Sequence, residues 1–172
     1  VSKDRLCQIA LILFRSTFEG VRELSIPDNE EEDPSRQING LALADLLPAA
    51  YTWISEAGHN IIQLTDVFWN NCPSEIGQGG RDFVESQLGM RSPTGFTPWR
   101  WMFWLKRLHE IRDRANAAHE EKIGQYAADC IECMVNEAKE RNSGILRIYQ
   151  NGGSDLKEDP HLLCLAPEPP SE

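Results

Sequence analysis

Apolar residues recur at helical spacing through most of this chain, and no stretch shows the strict alternation expected of a half-buried strand. Leu6, Ile9, Ala10, Leu13 and Thr17 form one such series, and Cys7, Leu11, Phe14 and Phe18 widen its apolar face. With Ser2 as a hydroxyl cap, they predict a largely buried helix running to about Gly20. Leu43, Leu46, Leu47, Ala50, Trp53, Ile54 and Ala57 predict a second helix, with Asn39 as its cap and Pro48 near its first turn or at a kink. Gly58 reads as its stop. Asn60 then opens a third helix through Ile61, Leu64, Val67 and Phe68, so that the pair forms a helical hairpin.

Residues 72–98 carry five glycines and three prolines and predict a long irregular segment, interrupted by one short helix around Asp82 to Leu88. Thr97 and Pro98 are a strong helix start, with a hydroxyl cap followed by proline in the first position, and the helix should reach about Ala115. Asn116 is placed to open the next helix. Its buried face would carry Ile123, Ala127, Cys130, Ile131, Met134, Val135 and Ala138, and it should end near Asn142. A short helix around Ile145 to Tyr149 precedes Asn151-Gly152-Gly153. The pattern as a whole predicts an all-α fold, an irregular bundle of about five to seven helices with a long Gly/Pro-rich loop. Residues 1–150 would form a single helical domain, and 151–172 a polar tail that either docks Leu162-Leu163-Cys164-Leu165 or leaves them for a partner.

Charge narrows the functional classes. The net charge of −10 opposes nonspecific phosphate-backbone binding, so no nucleic-acid partner is expected. The acidic stretch between Pro27 and Pro34 reads as an exposed loop. The apolar run from Leu6 to Phe14 falls short of the ~18 residues a bilayer span requires and lacks a leader cleavage site, so no membrane association is expected. Five cysteines cannot all pair within one chain, and 172 residues can bury a core without disulfides; the thiols read as reduced and the protein as intracellular, with the cytoplasm as the expected compartment.

Candidate chemistry is sparse. Cys130-Ile131-Glu132-Cys133 has redox spacing but falls in mid-helix, away from the dipole that would stabilise a thiolate, so core thiols are the simpler reading. His109, Glu110 and Asp113 place an imidazole and carboxylates one turn apart, yet neighbouring Lys106, Arg107, Arg112 and Arg114 suggest a solvated face with pairs such as Lys106 to Glu110 and Glu110 to Arg114. Cys72 and His59 are a formal nucleophile and base without a protease signature. Gly77-Gln78-Gly79-Gly80-Arg81 resembles a phosphate cradle but lacks a strand before it and a Walker lysine. No motif calls for a cofactor or metal, and an enzyme is the less favoured reading.

The conspicuous segment is Pro98 to Leu108, which holds three tryptophans, a phenylalanine and three basic residues. Trp101, Leu105 and Leu108 form a core stripe. Trp99, Arg100, Phe103 and Arg107 lie on the remaining faces and suggest contact with something else. Trp101-Met102-Phe103-Trp104-Leu105-Lys106-Arg107-Leu108 and Ala127-Ala128-Asp129-Cys130-Ile131-Glu132-Cys133-Met134 resemble segments of an uncharacterised family of fungal helical proteins of unknown function. That resemblance covers the C-terminal half and implies no activity or cofactor. The expected function is an interaction or regulatory protein that binds a protein partner, or a second copy of itself, through Trp99, Arg100, Trp101, Trp104 and Arg107. The alternative is a small-molecule-binding protein or enzyme with a pocket between the glycine-rich loop and the aromatic helix.

Overall fold

Ser2 does cap the first helix: in the computed structural model its hydroxyl accepts from the Arg5 amide (3.3 Å), and α1 runs Lys3–Phe18. The structure describes residues 2–26 and 37–169, so the acidic stretch between Pro27 and Pro34 lies outside the described residues. The described residues contain helices and turns without strands. Five helices exceed two turns: α1, α2 (Leu43–Asp66), α6 (Pro98–Ala117), α7 (Glu121–Glu140) and α8 (Gly144–Asn151). Short helices α3 (Ser74–Gly77), α4 (Arg81–Val84) and α5 (Gln87–Arg91) break up the glycine-rich segment, and α9 (Ser154–Lys157) leads to a final 3-10 turn, Pro160–Leu165.

The predicted hairpin is one helix. α2 continues through Gly58 with only a kink at Ala57 (φ −124°, ψ 21°). A Cβ on Gly58 would stand 3.2 Å from Glu137 Cγ of α7, so this glycine permits close helix packing rather than stopping a helix. The start of α2 also differs: Ala42 occupies the cap position and the Asp45 carboxylate accepts from its amide (3.2 Å), while residue 39 belongs to a preceding 3-10 turn. Asn116 remains in the last turn of α6 instead of opening α7. The chain reverses through His119, whose φ of 59° ends the helix in the left-handed region.

α7 lies between α6 and α2, and the core gathers where these three meet α1. Phe14 and Phe18 of α1 pack with Leu47, Ile54 and Ile62 of α2, Trp101, Trp104 and Leu108 of α6, and Ala127 and Met134 of α7. The tail from residue 151 carries a docked segment: Leu162 and Leu165 are fully buried, and Lys106 Nζ donates to Asp159 (2.7 Å) at its start. Among the described residues, no helix is long and apolar enough to cross a membrane.

Gly95 fixes the path by which the irregular segment re-enters the core. Its φ is +86°, its amide donates to Gly77 O (2.8 Å), and an added Cβ would lie 2.3 Å from the Trp69 carbonyl. Gly95→Ala should therefore lower stability by about 1–3 kcal/mol from backbone strain alone, and more once the Trp69 carbonyl is displaced. Urea unfolding at constant m-value measures this, and an unchanged midpoint contradicts it.

Candidate functional site

Thr97 Oγ1 caps α6 by accepting from the Arg100 amide (3.1 Å), which points the Arg100 side chain into the junction of α1, α6 and the glycine-rich segment. There its guanidinium is completely buried and all five of its N–H groups are used. Nε donates to Glu19 Oε2 (2.8 Å) and Nη2 to Glu19 Oε1 (3.0 Å), a bidentate pair. Nη1 donates to the carbonyls of Gly77 (2.8 Å) and Gly95 (3.0 Å), and Nη2 also to that of Gln78 (3.2 Å). The Glu19 carboxylate accepts two further bonds, from Trp104 Nε1 (2.7 Å) and the Gly80 amide (2.8 Å). Donor and acceptor capacity on both sides is filled.

This arrangement decides the fate of the predicted binding residues. Arg100, Trp101 and Trp104 are interior groups, buried in this fold. Phe103 is buried as well, because α4 folds back over it and the Phe83 ring sits 5.2 Å away. Arg107 is partly exposed but engaged: it donates to Phe18 O (3.1 Å) and Glu110 Oε2 (2.7 Å) and lies over the Phe103 ring. Trp99 alone of the five keeps an open flank. Its ring stands 5.8 Å from that of Phe68, which is 41% exposed at a left-handed φ of 55°, beside Val67 at 70%.

Arg100 and Glu19 occupy the space between the first turn of α6 and the glycine-rich segment, and an open groove of about 530 Å³ on that segment, lined by Gln78, Gly79, Phe83 and Val84 among others, includes no residue of α6. The same pair answers the phosphate-cradle pattern: the Gly80 amide at the start of α4 does hold an anion, the carboxylate of Glu19. A Cβ on Gly80 would meet Glu19 O at 2.7 Å, which explains the glycine. The apolar crevice beneath, lined by Phe14, Ile54, Trp101 and Met134, has a volume of about 10 Å³ and holds no substrate.

A second cluster lies at the other end of α6, where the C-terminal turn crosses it. Cys164 Sγ is 3.8 Å from His109 Nε2, and the His109 ring stacks on that of His161 (5.5 Å, 19°). His161 faces Asp113 through Nε2 (3.8 Å) and Asp159 through Nδ1 (3.9 Å). Burial, then Arg112 and His161, hold the His109 pKa below its ordinary value against the opposing pull of Asp113 and Asp159. Burial pushes the Cys164 thiol up, opposed by its own backbone amide, Lys139 and Arg112. Lys106 and Glu110 do not pair with each other: Lys106 goes to Asp159 and Glu110 to Arg107.

The remaining candidates are quiet. Cys130 is fully buried and its thiol is pushed up to about 12 by burial, with Cys133 and Asp129 adding to it, so the Cys-X-X-Cys pattern carries one core thiol and, in Cys133, one half-buried at its edge. The Cys72 thiol donates to Asn70 Oδ1 (3.7 Å) and not to His59. Among the described residues, no group of three His, Cys, Asp or Glu side chains is placed to hold a metal ion.

Sequence reasoning passed over Glu19, although a signal was present: it is an acid at the C-terminal end of a helix, where the dipole disfavours negative charge and a compensating cation is called for. His161 gave none, because its partner is 52 positions away on another element.

A family described as "Protein of unknown function (DUF3632)" matches residues 1–108. The match falls on the N-terminal part, not the C-terminal half: Trp101 to Leu108 lie inside it, and Ala127 to Met134 outside. The chain is 52% identical over 166 residues to a Penicillium oxalicum protein titled "Oxopyrrolidines biosynthesis cluster protein G". That alignment covers 96% of this chain and 46% of the relative, so the chain spans about half the relative's length. No solved structure matches.

Two predictions follow from the two ends of α6. Arg100→Met leaves Glu19 charged and uncompensated and takes the donor from the Gly95 carbonyl, while Gly77 O keeps the Gly95 amide and Gln78 O keeps Arg15, and should cost about 3–5 kcal/mol by urea unfolding. A loss near the 0.5 kcal/mol or so of an ordinary surface substitution is incompatible with this assignment. At the other end, His109 has a depressed folded pKa, so the unfolded chain binds the proton more readily and stability is lost as pH falls below the unfolded value of about 6.5. His109→Gln should flatten the decline of Tm between neutral and mildly acidic pH, and parallel slopes for both proteins would rule it out.

Proposed function

The chain belongs to the DUF3632 family, and on that footing we propose that it serves fungal secondary-metabolite biosynthesis as a protein-binding helical module. The 52% identity to a biosynthesis-cluster protein supports the pathway class. The binding surface is the exposed apolar corner made by Val67, Phe68 and Trp99. This keeps Trp99 from the predicted set as the contacting residue and leaves Arg100, Trp101 and Trp104 as the scaffold behind it.

The observation that carries the reading is Phe68 itself. A bulky aromatic in the left-handed region is strained, and strain of this kind is retained where the surroundings or a function require the conformation. Here the conformation lays the ring against Trp99 at the surface, beside the more exposed Val67. Aromatic residues of this sort are enriched at the centres of protein interfaces.

A Val67→Asp, Phe68→Asp double variant tests it. The variant should lose association, read by sedimentation of the isolated chain and by co-purification with co-expressed enzymes of its biosynthetic cluster, while Tm stays close to that of the parent. Undiminished association by the double variant would overturn the reading.

A further inference from the structure

We propose that Cys164 and His109 form a nucleophile and base pair that adds covalently to small α,β-unsaturated carbonyl compounds. Cys164 stands apart from the other cysteines. Cys7 and Cys130 are buried, Cys72 is bonded to Asn70, and among the described residues the sulfur of Cys164 alone lies within hydrogen-bonding reach of an imidazole, at 3.8 Å from His109 Nε2 and equally 3.8 Å from the His161 carbonyl. Cys164 is half-buried next to the exposed Leu163.

The base is positioned. His109 projects from the C-terminal half of α6, and its ring plane is held by the stacked His161, which is itself flanked by Asp113 and Asp159. Burial and the nearby Arg112 disfavour the imidazolium, so near neutral pH the ring is an acceptor ready to take the thiol proton. Lys139, Arg112 and the backbone amide of Cys164 all favour negative charge on the sulfur once the proton leaves. A groove of about 310 Å³ lined by Lys139, Leu146, Arg147, Leu165 and Ala166 lies on the neighbouring face of the same turn, and the thiol itself is reached from the partly open side of Cys164.

Addition suits these surroundings better than acyl transfer. A tetrahedral acyl intermediate needs free N–H donors for its oxyanion. In the Cys164 turn the amides of Leu162, His161 and Ala166 are already given to Asp159 O, Asp159 Oδ1 and Leu163 O. Conjugate addition asks only for a nucleophile and a proton carrier. The S–H proton passes to His109 Nε2, the sulfur pair forms the bond to the β-carbon, and the π pair of the C=C bond moves onto the α-carbon and carbonyl oxygen. The α-carbon then takes the proton back from His109. Nothing leaves and no redox partner is consumed.

Substoichiometric N-ethylmaleimide on the folded chain, followed by peptide mass mapping, provides the test. Cys164 should be labelled well ahead of Cys72 and Cys133, the other half-buried thiols. Its rate should level off above the imidazole pKa instead of climbing toward the raised pKa of the thiol. His109→Asn should slow Cys164 roughly a hundredfold, the lower end of what a positioned base contributes, with Cys72 and Cys133 unchanged. Labelling of Cys164 no faster than the other two, or a rate that climbs through pH 8 with no plateau, overturns the proposal in the parent protein even if the variant does not fold.

Discussion

A fully desolvated charge must find its complement at close range, and the Glu19–Arg100 pair is where this fold meets that demand. Neither charge has access to water, and together with Trp104 and four backbone groups of the irregular segment they exhaust one another's bonding capacity. Three parts of the chain that share no regular contact pattern are thereby fixed in one place: the end of α1, the first turn of α6 and the glycine-rich crossing. A hydrophobic core tolerates sliding and repacking of its members. A saturated bidentate pair does not, since a displacement of an ångström breaks several charged bonds together.

The same constraint sorts the aromatic helix. Its first turns are apolar on nearly every side, which at the surface would be costly, and the crossing segment covers the sides that the other long helices leave open. Arg100 is the device that draws the segment in, so the cations and rings that look like a binding face serve as internal architecture. What is left for contact lies at the margins of α6: the Phe68 and Trp99 corner near its start, and the imidazole and thiol cluster where the C-terminal turn crosses it.

The all-helical class and the strongest boundary, at Thr97 and Pro98, were legible because both are local: periodicity and capping act within one or two turns. Gly58 misled for a physical reason. Glycine marks helix ends when it supplies a left-handed residue, but here it supplies only the absence of a Cβ facing Glu137, a need created by a helix about 80 positions further on. Arg100 misled in the same way. Its neighbours in sequence are rings, which suggests a cation on an aromatic surface, whereas its charge partner is 81 positions away. Cys164 carries no chemical signal in the sequence because the imidazole that faces it belongs to another element. The chemistry of this chain is made by long-range juxtapositions, and single-sequence patterns do not carry them.

The clamp on the crossing segment grips carbonyl oxygens of Gly77, Gln78 and Gly95, groups that every amino acid possesses. Its recognition is therefore blind to the identity of most side chains between those points. Substitutions through much of the segment can accumulate without loosening it, provided that the backbone can still make its turn at Gly95 and approach Glu19 at Gly80. The segment is thus free to diversify its outward face while its course over the helix stays the same, much as a strap can be re-patterned without moving its buckle.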